Sequence, residues 1–276
     1  MLDWLIEPLK FEFMRNALGI GILLGILCAV VGSYMVVQQM GMMAHAVSHS
    51  LMAGLPVAYV MGVSLSIGAL SGGLISALFM VWIESRSKVK ADSALAIMLS
   101  FFLAIGVTLV RVLPGANSID LVHVLFGDIL GVTGSDLWMI LGVTITMIIL
   151  AKLFYKELLF YTFDPIGAQA MGMPVHWYYT ALITAMTVTI VINLEAVGAL
   201  MVIAMLVGPA VAAYLLVKEL YLMMVLGSIF GAVSSVAGMY LSYYMNVPSG
   251  AAIVMFACGF FLLAFSSAPP TVLLWR

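Results

Sequence analysis

The sequence predicts an all-α polytopic membrane bundle of about eight or nine spanning helices, and three observations carry that reading. Of its 276 residues, 65% are hydrophobic and 8% are Asp, Glu, Lys or Arg. A soluble domain carries roughly three times that charged fraction, so the chain has too little charge to coat a water-facing surface. The apolar residues also fall into long runs near the ~20 residues needed to cross a bilayer. Strands of a membrane barrel would instead alternate over about ten residues. The formal net charge of −2 offers no basic field to nucleic acid. An ordinary cytosolic enzyme, a disulfide scaffold and a disordered chain are excluded on the same arithmetic.

In chain order, residues 1–15 mix Asp3, Glu7, Lys10, Glu12 and Arg15 with Trp4, Phe11 and Phe13. That mixture predicts a short interfacial segment, not a cleaved leader with a purely basic start. Apolar runs follow at 17–37, 42–60, 62–83, 93–113, 137–154, 177–194, 197–217, 221–243 and 249–265. A shorter stretch, 120–130, has half the length of a span and fits a re-entrant or interfacial segment. Cys28 and Cys258 both sit inside apolar runs and read as small buried hydrophobes. Gly21 and Gly25, Gly68 and Gly72, and Gly227 and Gly231 repeat at four-residue spacing, which lets helix backbones approach closely. The 22 methionines read as packing filler, with a soft-metal ladder as the alternative.

Lys and Arg set the orientation. Arg86, Lys88, Lys90, Lys152, Lys156, Lys218 and Arg276 share one side if nine spans begin outside. Only Lys10, Arg15 and Arg111 then face out. The prediction is an N-terminus outside, a C-terminus inside, and a single membrane domain over residues 1–276 without a soluble appendage.

Ionisable groups inside spans are costly and tend to serve function. His45 and His49 stand in the second run, in Gly-Met-Met-Ala-His-Ala-Val-Ser-His-Ser at 41–50. Their four-residue spacing puts both imidazoles on one helix face, where a pair can hold one transition metal. The alternative is two histidines hydrogen-bonding to backbone carbonyls. Ala46 occupies the place a zinc-protease helix gives to Glu, so no general base is present and hydrolysis is disfavoured. Glu195, at the junction of the sixth and seventh runs, is either a hard oxygen ligand or an outer-surface acid. Asp120, His123 and Asp128 either line an outer vestibule or solvate a loop. In the stretch 160–174, Asp164 can cap a helix beginning at Pro165, and Gly172 can end it. Its apolar Ile166, Ala170 and Met171 make a candidate docking surface.

These residues together resemble the membrane permease subunit of ABC importers for manganese, zinc and related divalent metals. Residues 32–56 are similar to that family's first-span exit and its D-A-x-S-H element. Residues 160–173 resemble the helix that contacts the ATPase. Residues 196–213 resemble the run V-G-x-L-L-V-x-A-L-L-x-x-P-A-x-x-A, and 91–97 the entry to the fourth span. The resemblance covers nearly the whole chain and implies a type II ABC importer-like permease of the prokaryotic cytoplasmic membrane. It implies a second copy of this chain, a cytoplasmic ATP-binding subunit dimer, an extracytoplasmic metal-binding protein and surrounding lipid as partners. The implied ATPase-coupling residues are Asp164, Pro165, Ala168, Met171 and Gly172; the implied metal residues are His45, His49 and Glu195. No cofactor is expected to be permanently bound; the metal, manganese first and zinc second, is cargo. The chain has no Gly-x-x-x-x-Gly-Lys-Ser/Thr phosphate loop, so ATP is expected to be hydrolysed by a separate subunit, and the chain itself is not an enzyme. The chain departs from the family pattern where His45 replaces Asp and where Gln38 and Gln39 replace basic residues. The competing reading, an ion-coupled secondary metal carrier, needs buried acids within spans, and the runs hold almost none.

Overall fold

The structure is a computed structural model that describes residues 6–86, 91–114, 127 and 129–267; for Glu84, Ser85, Ala91, Asp92 and Glu195 the description covers the backbone only. Among the described residues, eight helices are long and apolar enough to cross a membrane. The chain is a helical membrane bundle, as its composition predicts.

Helix α1 spans Glu12–Val37. After it come two short helices, α2 at Gly41–Ser50 and α3 at Leu55–Met61, joined by a 3-10 turn at Leu51–Ala53. Helices α4 (Leu65–Arg86) and α5 (Ala91–Val112) follow. Then come α6 (Gly134–Leu153), α7 (Tyr155–Phe163), α8 (Pro165–Ala170) and α9 (Val175–Val197). The chain closes with α10 (Ala199–Leu216), α11 (Leu220–Met245) and α12 (Ser249–Ser267).

Helices α1, α10, α11 and α12 pack against one another as the central block. Small residues make this possible, because interhelical attraction in lipid rests on close contact and not on water exclusion. A Cβ added to Gly25 would fall 2.5 Å from the Gly231 carbonyl carbon. One added to Gly32 would overlap the Leu206 carbonyl, and one on Gly238 would lie 2.5 Å from the Ile253 Cα. Within the hydrocarbon every polar group needs a partner, and most hydroxyls find one on their own helix. Ser33 donates to the Ala29 carbonyl at 2.7 Å, and Thr187 to that of Ile183 at 2.8 Å. Ser235 instead crosses to α1, donating to the Gly21 carbonyl at 2.8 Å.

Helices α2 to α5 form a second group, and α9 joins the two, touching α1, α4 and α10. Helix α6 leans on α1 from outside, with only Ile140 and Thr144 fully buried. Its first turn is fixed by Asp136, whose carboxylate accepts from the Thr133 N–H at 2.9 Å and the Thr133 hydroxyl at 2.8 Å. A smaller cluster of Tyr34, Leu158, Tyr161, Leu182, Ala213 and Met223 ties α7 to α1, α9, α10 and α11 at one end of the bundle.

The run at 42–60, expected to be one span, is broken in two. Pro56 lacks an N–H and its ring crowds the carbonyl four residues earlier, at Met52, which favours an interruption there, whereas Pro209 is accommodated inside α10. The 3-10 turn takes up the interruption, and Pro56 lies in the first turn of α3. The fifth run forms α6, and α7, a separate helix that the apolar runs do not include, follows it directly.

Candidate functional site

The broken segment is the centre of interest. Nonhelical backbone at membrane depth is tolerated where protein or a cavity covers it. Here protein does. A Cβ on Gly54 would overlap the Gly68 carbonyl and lie 3.0 Å from the Gly72 nitrogen, so the break lodges directly on the backbone of α4. Gly106 of α5 approaches from another side, where an added Cβ would fall 2.7 Å from the Met52 carbonyl oxygen. The glycine pair 68 and 72 thus serves the broken segment and not a pair of continuous helices.

The chain enters α2 through a tight reversal. Gln39 adopts a left-handed conformation (φ 58°), and the Met40 N–H bonds back to the Met35 carbonyl at 2.8 Å. Gln38 donates from Nε2 to the Thr162 carbonyl at 3.4 Å, which ties the exit of α1 to the end of α7. Within α2 the hydroxyls of Ser48 and Ser50 donate to the carbonyls of Ala44 and Ala46, at 2.8 and 2.7 Å, and need nothing from outside the helix.

One stripe of α2 stays open. Met43, Ala44, Ala46, Val47, Ser48 and Ser50 are buried, while His45 and His49 are half-buried and Met42 is 58% exposed. The two imidazole centroids lie 4.7 Å apart at an interplanar angle of 77°. His49 stands about 12 Å along the helix from Gly41 by the rise of 1.5 Å per residue. Two nitrogens do not make a metal site by themselves, since first-row metals take four or more ligands. Among the described residues no group of three His, Cys, Asp or Glu is close enough to hold an ion.

Glu195 belongs to the last turn of α9. Leu51 and Thr187 both border Gly73, and Glu195 follows Thr187 by eight residues, or about 12 Å of helix rise. The backbone therefore sets it well along α9 from the break; its side chain lies outside the described residues. Asp120, His123 and Asp128 also lie outside them. Gly127, at φ 63°, and the 3-10 turn Ile129–Gly131 are described, and Gly127 meets the backbone of Val197 and Gly198 at the junction of α9 and α10.

At the other end, Asp164 caps α8 by accepting from the Gly167 N–H at 2.8 Å, with Pro165 as the first helical residue. Gly172, at φ 79°, turns the chain out of it. Ala168 is buried and anchors the helix, whereas Ile166 (80% exposed) and Met171 (75%) point away from the bundle. Sequence reasoning missed α7, which supplies the platform through Leu158 and Tyr161. Its signal was present in the amphipathic stretch 155–163, masked by the apolar run before it.

Comparison with known proteins agrees with this architecture. The model of the ABC 3 transport family matches residues 10–268. The manganese transport system membrane protein MntC of Halalkalibacterium halodurans is 39% identical over 270 residues, covering 98% of this chain and 92% of that protein. The manganese import system permease protein ScaB of Streptococcus gordonii is 38% identical, covering 94% and 92%. Among solved structures, PsaBC from Streptococcus pneumoniae in complex with Fab superposes with a TM-score of 0.86 at 37% identity, over 97% of this chain and 96% of that one. The chain belongs to the ABC 3 transport family.

Proposed function

We propose that this chain is the membrane-spanning subunit of an ATP-driven importer of a divalent transition metal, manganese first and zinc as the alternative. ATP is hydrolysed by a separate cytoplasmic subunit that docks on α8 through Ile166 and Met171, and an extracytoplasmic protein delivers the metal. The N-terminus lies outside and the C-terminus inside. The observation that carries the reading is the His45–His49 pair on the open stripe of an otherwise buried broken segment. Identity of 38–39% to manganese permeases over nearly full length supports the choice of cargo.

In this reading two copies of the chain flank the path, and each contributes its histidine pair. Neutral imidazole is a good ligand for first-row divalent ions, and Glu195, further along α9, adds an anionic oxygen that offsets the cost of dehydrating the ion. A path must also release its ion, so an incomplete ligand set shared between copies suits transport better than a closed cage. The test is reconstitution with the ATP-binding subunit in proteoliposomes. Manganese uptake that requires ATP, and that persists when the proton gradient is collapsed, is the expected result. Uptake driven by a proton gradient without ATP overturns the reading.

A further inference from the structure

A cleft of about 710 Å³ opens between α1, α6 and α11, where α6 gives way to α7. Its lining is sorted along its length. Lys152 in the last turn of α6, Tyr155 at the start of α7 and Tyr221 at the start of α11 line one end. Beyond them the walls are apolar, with Ile148 of α6, Val30 of α1, and Val225, Ile229 and Ala232 of α11. Ser228 also lines this part, but its hydroxyl donates to the Met224 carbonyl of its own helix at 2.7 Å. From Tyr221 to Ala232 the cleft follows α11 for about 16 Å, the depth of one leaflet of a ~30 Å core. Ile148, Val225 and Ile229 are exposed, so the trough is open sideways to lipid. Among the described residues no carboxylate lines it, and Lys152 makes its polar end positive. Helix α6 has little protein around it, since only Ile140 and Thr144 are fully buried.

This polarity selects the occupant. A neutral apolar ligand leaves Lys152 without a counter-charge, and a soluble anion leaves the apolar walls unused. An anionic amphiphile one leaflet long satisfies both, because tyrosine rings settle at headgroup level and lysine reaches to phosphate. We propose that the cleft is a binding site for an anionic phospholipid of the adjoining leaflet, with its phosphate at Lys152, its glycerol region by Tyr155 and Tyr221, and one acyl chain along α11 to Ala232. The bound lipid wedges between α6 and α11 over α1 and holds α6 onto the bundle. The inference needs only membrane residence and is independent of the cargo proposed above.

The test uses the full chain in detergent, with palmitoyl-oleoyl phosphatidylglycerol as probe. Phosphatidylcholine with the same acyl chains controls for charge; dihexanoyl phosphatidylglycerol and inorganic phosphate control for the chain. From an equimolar mixture of the two long-chain lipids, native mass measurement after washing is expected to find phosphatidylglycerol retained over phosphatidylcholine by about fivefold, the contribution of one lysine at an anionic headgroup. Lys152→Ala is expected to erase that preference. Lys156→Ala removes the same charge four residues further on, outside the cleft, and is expected to keep it. Both lysines are exposed, so both variants are expected to melt like wild type before lipid is added. Long-chain phosphatidylglycerol then raises the midpoint of wild type and Lys156→Ala more than that of Lys152→Ala, while dihexanoyl phosphatidylglycerol and phosphate raise none of them. The same preference in wild type and Lys152→Ala, or equal losses in the two lysine variants, means annular lipid only and overturns the proposal. A shift by the short-chain lipid or by phosphate equal to that of the long-chain lipid also overturns it, because the apolar trough then has no part in binding.

Discussion

The central block of α1, α10, α11 and α12 and the broken segment α2–α3 both rely on glycine, to opposite ends. In the block, Gly25 meets Gly231 and Gly32 meets the Leu206 carbonyl between continuous helices, with Ser33 satisfied within α1 and Ser235 bonding across to it. In the broken segment, Gly54 lies on Gly68 and Gly72 so that an interrupted backbone can be held at membrane depth with a histidine pair left open beside it. Close packing makes the block rigid; the same packing makes the break possible without exposing its backbone to lipid. The difference separates what keeps the chain folded from what carries chemistry, and the two respond differently to substitution.

The largest effect is expected in the block. Gly32→Val places a branched side chain against the Leu206 carbonyl and is expected to cost about 3 kcal/mol or more, as overpacking between backbones does. Loss of a cooperative melt and of monodisperse protein in detergent is the readout. A variant that melts like wild type shows that α1 and α10 are further apart than described.

Acid acts on the open stripe and not on the block. Imidazole coordinates through a neutral nitrogen, and a proton on that nitrogen removes the lone pair and adds positive charge. ATP-dependent manganese uptake is therefore expected to fall several-fold in mild acid, with the melting temperature little changed. Uptake that stays flat while ATP hydrolysis is constant removes the histidines from the path.

Pro56→Ala sharpens the contrast by mending the break. The substitution restores the N–H and relieves the clash with Met52, so α2 and α3 can approach one continuous helix. Stability is expected to hold or rise, while uptake falls about fivefold, equivalent to ~1 kcal/mol on the rate-limiting step. Unchanged uptake indicates that the break itself has no part in the path.

The smallest effect is expected at Asp164→Ala, which removes the cap on α8 and costs about 1 kcal/mol locally. Stimulated ATP hydrolysis by the docked subunit is expected to drop about twofold to fivefold, with metal binding unaffected. Hydrolysis at the wild-type rate removes α8 from the docking surface.

Much of this was legible in the sequence, and the limits are physical. Hydropathy revealed the eight long spans because each is apolar over 18 residues or more, close to the ~20 a bilayer crossing needs. The three glycine pairs predicted close approach: Gly21 meets Ser235, Gly25 meets Gly231, and Gly68 with Gly72 receives Gly54. Hydropathy could not show the break at Leu51–Ala53, because a broken span and a continuous one bury the same apolar residues; Pro56 was the signal, and it was outweighed by run length. The left-handed turn at Gln39 was invisible, since Gln is not a residue that advertises positive φ. The His45–His49 pair was legible from spacing alone, but that it faces away from its own chain depends on which side of α2 meets α4, α5 and α9.

The most direct measurement is ATP-dependent manganese uptake by proteoliposomes holding this chain and its ATP-binding subunit, with His45→Ala and His49→Ala combined. Both side chains lie on the open stripe, so their loss is expected to leave the melting temperature and complex assembly unchanged. The account predicts that uptake falls by about a hundredfold or more, the loss of ~3 kcal/mol of ion stabilisation along the path. Uptake at the wild-type rate by a folded, assembled double variant would place the cation's route elsewhere and contradict it.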